Sequence, residues 1–460
     1  MITRFQTSAI AVAIAAGWAL PAHAQSDEAL RQELAAMRAQ MATMAARIDT
    51  LETQLGSARA EAQAANTTAS TALAQAKAVE AKEPPVSVAW KGAPEIKGKD
   101  GWSFKPRGRL QVDVAGVDGP SGIAQRRQLG VGTEFRRAYI GFDGTMPGGF
   151  GYRVEADLAG SSVDLTDLYL TYKASPDVML TIGQQKPFWG LEEMTSDLFT
   201  SFMERAAFNS AFGFERRVGA SASYTGKAFL VQGGVFADNA ADLNSDGNNS
   251  YSFDGRVVFM PKIGKGQLHV GGSVHVRDFN DGQAAARYRA RPFVHTTDLR
   301  LVDTGAIAAT GETGYGAELA YINGRLHATA ESHWISPRRP GLADPTFNGG
   351  YAEVGYLLTD DTTAYKGGTY DRIKPSKPVG SGGIGAVQIN GRYDWLDLSD
   401  AGLVGGRQQV AGVSVVWMPT DYVRFNLNYG HIWIKDAAVP AGTDRSYTAD
   451  AVGLRTQVDF

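Results

Sequence analysis

Nine arginines, Arg107, Arg109, Arg137, Arg153, Arg217, Arg256, Arg277, Arg392 and Arg424, fall in stretches where every second residue is apolar, so they share the polar face of those stretches. Guanidinium and ammonium groups along a path open to water replace the hydration an anion loses with charge-assisted hydrogen bonds. The candidates for lining such a path and binding an anion are Arg107, Arg109, Arg137, Lys186, Arg205, Arg217, Arg392 and Arg424. Asp113, Glu155, Asp157, Asp167, Glu331, Glu353 and Asp394 share the same face. Opposed acidic and basic walls also describe a general diffusion path with a transverse field. For any one arginine, an ion pair that holds the wall competes with a binding role.

Other chemistries have weaker signals. Asp242-Leu-Asn-Ser-Asp-Gly247 matches the first half of a calcium loop, but its twelfth position is Phe253 rather than glutamate, so a polar loop is expected. His327, Glu331 and His333 fall on one face of a strand, where neighbours two apart diverge too far for a tight metal site. The chain has no cysteine and no Gly-x-Ser-x-Gly elbow, so neither a thiol nor a serine nucleophile is indicated. No enzymatic activity, cofactor or metal is expected.

The elements that must position these residues are strands. Leu110, Val112 and Val114 alternate with Arg109, Gln111 and Asp113, and the pattern recurs over 152–158, 387–395 and 423–429. An apolar, aromatic face opposite a charged one fits a transmembrane barrel with lipid outside and water inside; 54 glycines, 17 tyrosines and 8 tryptophans agree. Tight turns at 146–149, 175–177, 226–227, 261–266, 323–324 and 419–421 should all lie on one side of the membrane, so the strand count between any two is even. That parity makes 279–314 one long outer loop although 286–294 resembles a strand. It predicts an all-β, 16-stranded antiparallel transmembrane barrel over 101–460 with both ends in the periplasm. It also places the long Gly- and Pro-rich connection 360–385 on the periplasmic side. Residues 187–215, with Trp189, Glu192, Glu193, Asp197, Glu204 and Arg205, carry too many phenylalanines to stay solvated and are expected to fold into the lumen. The last strand, from Thr448, ends on Phe460, like the signal read by barrel-assembly machinery.

Residues 1–24 have the charge, apolar run and Ala22-His-Ala24 end of a cleaved signal peptide. From Leu30 the seam Leu34, Met37, Met41, Met44, Ile48, Leu51 and Leu55 steps by three and four, and continues through alanines to Val79. A periplasmic α-helical coiled coil over 25–83 is predicted, self-associating as a homotrimer, with peptidoglycan a potential partner. Residues 84–100 read as a linker after Pro84-Pro85. Charge is balanced, 10 Lys and Arg against 10 Asp and Glu before residue 101 and 35 against 38 after it, so no nucleic-acid partner is indicated. The other expected partners are outer-membrane lipid and small hydrophilic solutes.

Four segments carry a resemblance: Arg136-Arg-Ala-Tyr-Ile-Gly-Phe-Asp-Gly144; Gly183 to Ser196 with Phe202-Met-Glu-Arg205; Gly391-Arg-Tyr-Asp-Trp-Leu-Asp-Leu398; and Gly405-Gly-Arg407 leading into Trp417-Met-Pro-Thr420. In combination they resemble the phosphate-selective porin O and P family. The resemblance implies a trimeric 16-stranded pore with an inward third loop, and phosphate preference resting on Arg107, Arg109, Arg137 and Lys186. A non-selective or sugar-permeable porin, with the coiled coil as an envelope spacer, is the alternative.

Overall fold

The structure, a computed structural model, describes residues 27–79, 86–123, 129–243, 250–280 and 285–460. The expected leader lies outside them, as do Asn244, Asp246 and Gly247 of the calcium-like stretch. The chain divides into two units, residues 1–84 and 85–460. The first contains one helix, Asp27–Val79. Its seam residues Leu34, Met37, Met41, Met44, Ile48, Leu51 and Leu55 are all exposed, since one helix cannot bury a 3.5-period stripe on its own.

The second unit is a closed antiparallel barrel of sixteen strands. They are β1 (Ser103–Asp118), β2 (Gly130–Met146), β3 (Phe150–Asp157), β4 (Asp164–Lys173), β5 (Val178–Gln185), β6 (Arg217–Thr225), β7 (Phe229–Phe236) and β8 (Tyr251–Phe259), followed by β9 (Gly266–Asp278), β10 (Gly311–Asn323), β11 (Leu326–Pro337), β12 (Phe347–Leu357), β13 (Ala386–Asp400), β14 (Leu403–Thr420), β15 (Val423–Lys435) and β16 (Tyr447–Asp459). Each strand pairs with its sequence neighbours, and β16 closes on β1 from Asp450 opposite Asp118 to Asp459 opposite Arg109. Closure pairs the backbone groups that would otherwise face hydrocarbon. Side chains alternate as the pattern requires: on β15 Leu427 and Tyr429 face outward while Arg424, Asn426 and Asn428 are buried inward. Val452, Leu454 and Phe460 face outward at the closing seam.

The expected single loop between β9 and β10 is present. It is stiffened by two short ladders, Ala285–Ala286 against Ile307–Ala308 and Arg289–Ala290 against Val302–Asp303. Residues 358–385, at the end that carries the short turns, hold a small hairpin, Tyr365–Lys366 against Thr369–Tyr370, that packs inward: Tyr365 Oη meets His269 Nδ1 at 2.6 Å and the Gly368 carbonyl accepts from Arg256 at 3.0 Å.

One difference from expectation is the stretch 84–100. Its described part is a hairpin, Ser87–Lys91 against Ala93–Lys97, whose Ile96 and Lys97 extend the sheet beside Phe104 and Ser103 of β1. Its turn residue, Gly92, has φ +81°, and a Cβ there would lie 2.6 Å from the Tyr422 ring, so glycine is required on both counts.

The apolar core lies inside the barrel. Phe208 and Phe212 of the β5–β6 loop, Tyr288, Val294, Leu299 and Leu301 of the β9–β10 loop, and Ile335, Phe347 and Leu396 of the wall form one cluster. These two loops, with the 358–385 segment at the other end, fill the lumen and decide what stays open.

Candidate functional site

The β5–β6 loop, residues 186–216, is held by charges aimed inward from the wall. Glu331 on β11 accepts the backbone N–H groups of Leu191 (2.8 Å) and Glu192 (2.7 Å), and the Tyr351 hydroxyl donates to it at 2.7 Å. Gly190 makes this approach possible, because a Cβ there would lie 2.5 Å from the Glu331 carboxylate. Arg392 on β13 bridges Glu192 of the loop (2.5 Å) and Glu353 of β12 (2.7 Å), with its guanidinium over the rings of Phe202 and Tyr351. Arg424 donates to the carbonyls of Leu198 (2.7 Å) and Thr200, and Arg455 joins Asp113 to Glu204, each at 2.7 Å.

Where the β5–β6 loop meets the wall, Arg109 and Arg137 share Asp197, with Arg137 Nε at 2.5 Å, and Lys186 and Arg205 share Glu193 at 2.7 and 3.4 Å. Arg136 and Arg137 both face the lumen. A bulge opposite Gln111 and Val112 adds a residue to β2, so the two arginines escape strict alternation and Arg136 reaches Glu204 at 2.9 Å.

Two open chambers adjoin here and share Lys186, Asp197 and Arg216. The outer one, about 450 Å³, is lined by eight Lys and Arg side chains against four Asp and Glu. The inner one, about 650 Å³, is lined by nine against five. Of the candidates read from sequence, Arg137 and Arg205 line the outer chamber, Arg107 and Arg109 the inner, and Lys186 both. Arg217, Arg392 and Arg424 line neither; they are buried in the packing between wall and loop. Lumen alternation could not separate these groups, because all point inward.

Other lining groups escaped the sequence reading. Arg136 needed the bulge, Arg216 precedes the first residue of β6, and Arg289, Arg291 and Arg300 lie on the β9–β10 loop. Arg291 pairs with Asp298 at 2.8 Å and, through that hydrogen bond, holds its carboxyl below the usual range. Arg289 and Arg300 have no carboxylate within ion-pair distance among the described residues. Partial burial, and then the nearby Arg291 and Arg289 charges, push the Arg300 guanidinium below its usual range. His327 pairs with Glu353 at 3.0 Å while His333 stacks on Phe208, so the two histidines serve separate contacts. Among the described residues no cluster fit for a metal ion forms.

A closed barrel with an apolar exterior, a charged lumen and loops folded into it defines an outer-membrane channel of the porin class. The chain belongs to the phosphate-selective porin O and P family, whose model matches residues 104–460. It is 44% identical over 402 residues to an uncharacterised protein of Caulobacter vibrioides, covering 85% of this chain and 81% of that one. It is 28% identical over 405 residues to Porin O of Pseudomonas aeruginosa, covering 78% and 90%. Among solved structures, in-vitro folded OmpT of Vibrio cholerae matches with a TM-score of 0.50 at 12% identity over 78% of this chain and 98% of that one, a likeness of fold.

Proposed function

We propose that this porin passes small anions, phosphate among them, down their gradient through the two chambers. The observation that carries this reading is the excess of cations in both linings, eight against four and nine against five. Along the whole barrel the two signs nearly balance, so the excess is local to the path. A low-dielectric wall focuses such an excess onto permeating ions. The family name and the Porin O relative support the same class of solute. Reversal potentials in asymmetric KCl, followed by phosphate titration of the chloride current, test it. A positive anion preference with phosphate block is expected. A cation-selective reversal potential refutes it, and anion preference without block reduces it to the general porin reading. The sharing of Asp197 and Glu193 by four of the lining cations, Arg109, Arg137, Lys186 and Arg205, favours that second reading.

The exposed 3.5-period stripe of the helix supports a homotrimer, with the helix acting in the periplasm as a spacer towards peptidoglycan. Deleting 25–83 tests this: cross-linked trimers should be lost or weakened while single barrels still conduct.

A further inference from the structure

We propose that Phe293 is a positioning residue of the permeation path, a ring that pins the β9–β10 loop across the outer mouth and so holds Arg291 and Arg300 over the outer chamber. This inference rests on the channel reading above.

The loop leaves the barrel between β9 and β10 and ends against strands on the other side of the lumen. The Thr296 hydroxyl donates to the Ala115 carbonyl on β1 at 3.2 Å, and His295 Nδ1 lies 2.9 Å from Glu134 on β2. Gln408 on β14 donates to the Arg291 carbonyl at 3.4 Å. Between these contacts Phe293 adopts φ +67°, a left-handed conformation that is a genuine outlier for a bulky residue and persists only where surroundings impose it.

The surroundings are specific. Gly412 on β14 and Gly430 on β15 face each other in register, and both open inward. A Cβ on Gly430 would lie 2.7 Å from the Phe293 ring, and one on Gly412 would lie 3.1 Å from it. Two paired glycines thus make a notch in the wall that the ring fills. Beside it the ring meets Phe202 of the β5–β6 loop edge-on, with centroids 6.0 Å apart, and Phe202 itself reaches within 3.2 Å of a Cβ on Gly412. Phe202 in turn lies under Arg392. The notch therefore joins both infolded loops to one point of the wall. Arg291 and His295, two residues to either side of Phe293, and Arg300 line the outer chamber. Their positions over the mouth follow from where the ring is held.

The test is single-channel recording of the full-length protein with Phe293→Ala, Gly430→Val and the double variant. Phe293→Ala removes the ring; Gly430→Val fills the notch and leaves the loop sequence intact. Each single variant should raise conductance and lower the chloride-to-potassium permeability ratio at least two-fold. Because both act through one contact, the double variant should match a single one rather than their sum. A variant that inserts no channels is replaced by Gly412→Ala, which adds one methyl group to the same notch. Unchanged conductance, a conductance rise with the permeability ratio unaltered, or additive effects each overturn the proposal. A parent channel without anion preference overturns the function reading instead, and the latch is then decided by conductance and the size cut-off for neutral sugars.

Discussion

Replacing Glu331 by glutamine should undock the β5–β6 loop without disturbing the barrel. The carboxylate accepts two backbone N–H groups and one hydroxyl, all within 2.8 Å. Glutamine keeps one oxygen but turns an NH2 group towards a donor, so one charge-assisted bond is lost and one buried N–H is left without an acceptor. A bond to a charged group is worth about 1.5–3 kcal/mol and an unsatisfied buried donor costs about 1–3 kcal/mol; the terms overlap, and a total of about 3 kcal/mol is reasonable. At about 1.4 kcal/mol per tenfold, the undocked population rises by about two orders of magnitude. An undocked level that occupies about a thousandth of the parent record would then occupy about a tenth of it. Single-channel current in planar bilayers reads this directly as time spent away from the main level. Tyr351→Phe removes only the third bond, worth about 1 kcal/mol, and should raise the same occupancy about five-fold. Dwell-time distributions of Glu331→Gln channels that match the parent would refute the reasoning.

Gly190→Ala should resemble Glu331→Gln in the same recordings, since its Cβ would displace the carboxylate it sits against. Asp197→Asn leaves Arg109 and Arg137 without their shared counter-charge. At about 4 Å in a water-like dielectric that charge is worth about 1 kcal/mol against an anion and about 1 kcal/mol in favour of a cation, so reversal potentials should show the anion-to-cation permeability ratio rising by at least about ten-fold. Arg392→Met strands Glu192 and Glu353 in the packing and should cost about 3–5 kcal/mol, lowering the temperature at which the folded band is lost on denaturing gels. Arg392→Lys should recover only part of this, because an ammonium cannot bridge both carboxylates in the same fork geometry.

Period and parity were enough to read the barrel. Alternation separated Leu427 from Asn426, and the even-count rule kept 286–294 out of the wall, where the structure shows two-residue ladders inside a loop. The hairpin at 87–97 carries two opposed signals: Val86, Val88 and Trp90 alternate with polar or small residues as a strand does, while Pro84, Pro85 and Pro94 mark a linker. The site was less legible. Alternation says which side chains enter the lumen but not how deep they sit or what they meet, so Arg107 and Arg392 looked alike although one borders a chamber and the other is enclosed by Phe202 and Tyr351. Arg136 was hidden because a bulge breaks the count by one residue. Arg289 and Arg300 were hidden because contact across a lumen leaves no local periodicity.

The division between arginines that grip the loop and arginines that border open space has an evolutionary consequence. Arg392, Arg424 and Arg455 cannot vary to suit a new solute without loosening the β5–β6 loop, so the wall is a constrained chassis. Arg289 and Arg300 lie on one contiguous segment, 279–310, between β9 and β10. Exchanging that segment between relatives would transplant a set of mouth charges in one recombination event without altering the sixteen strands, provided that the incoming segment keeps the apolar side chains that pack on Phe202, Phe208 and Phe212.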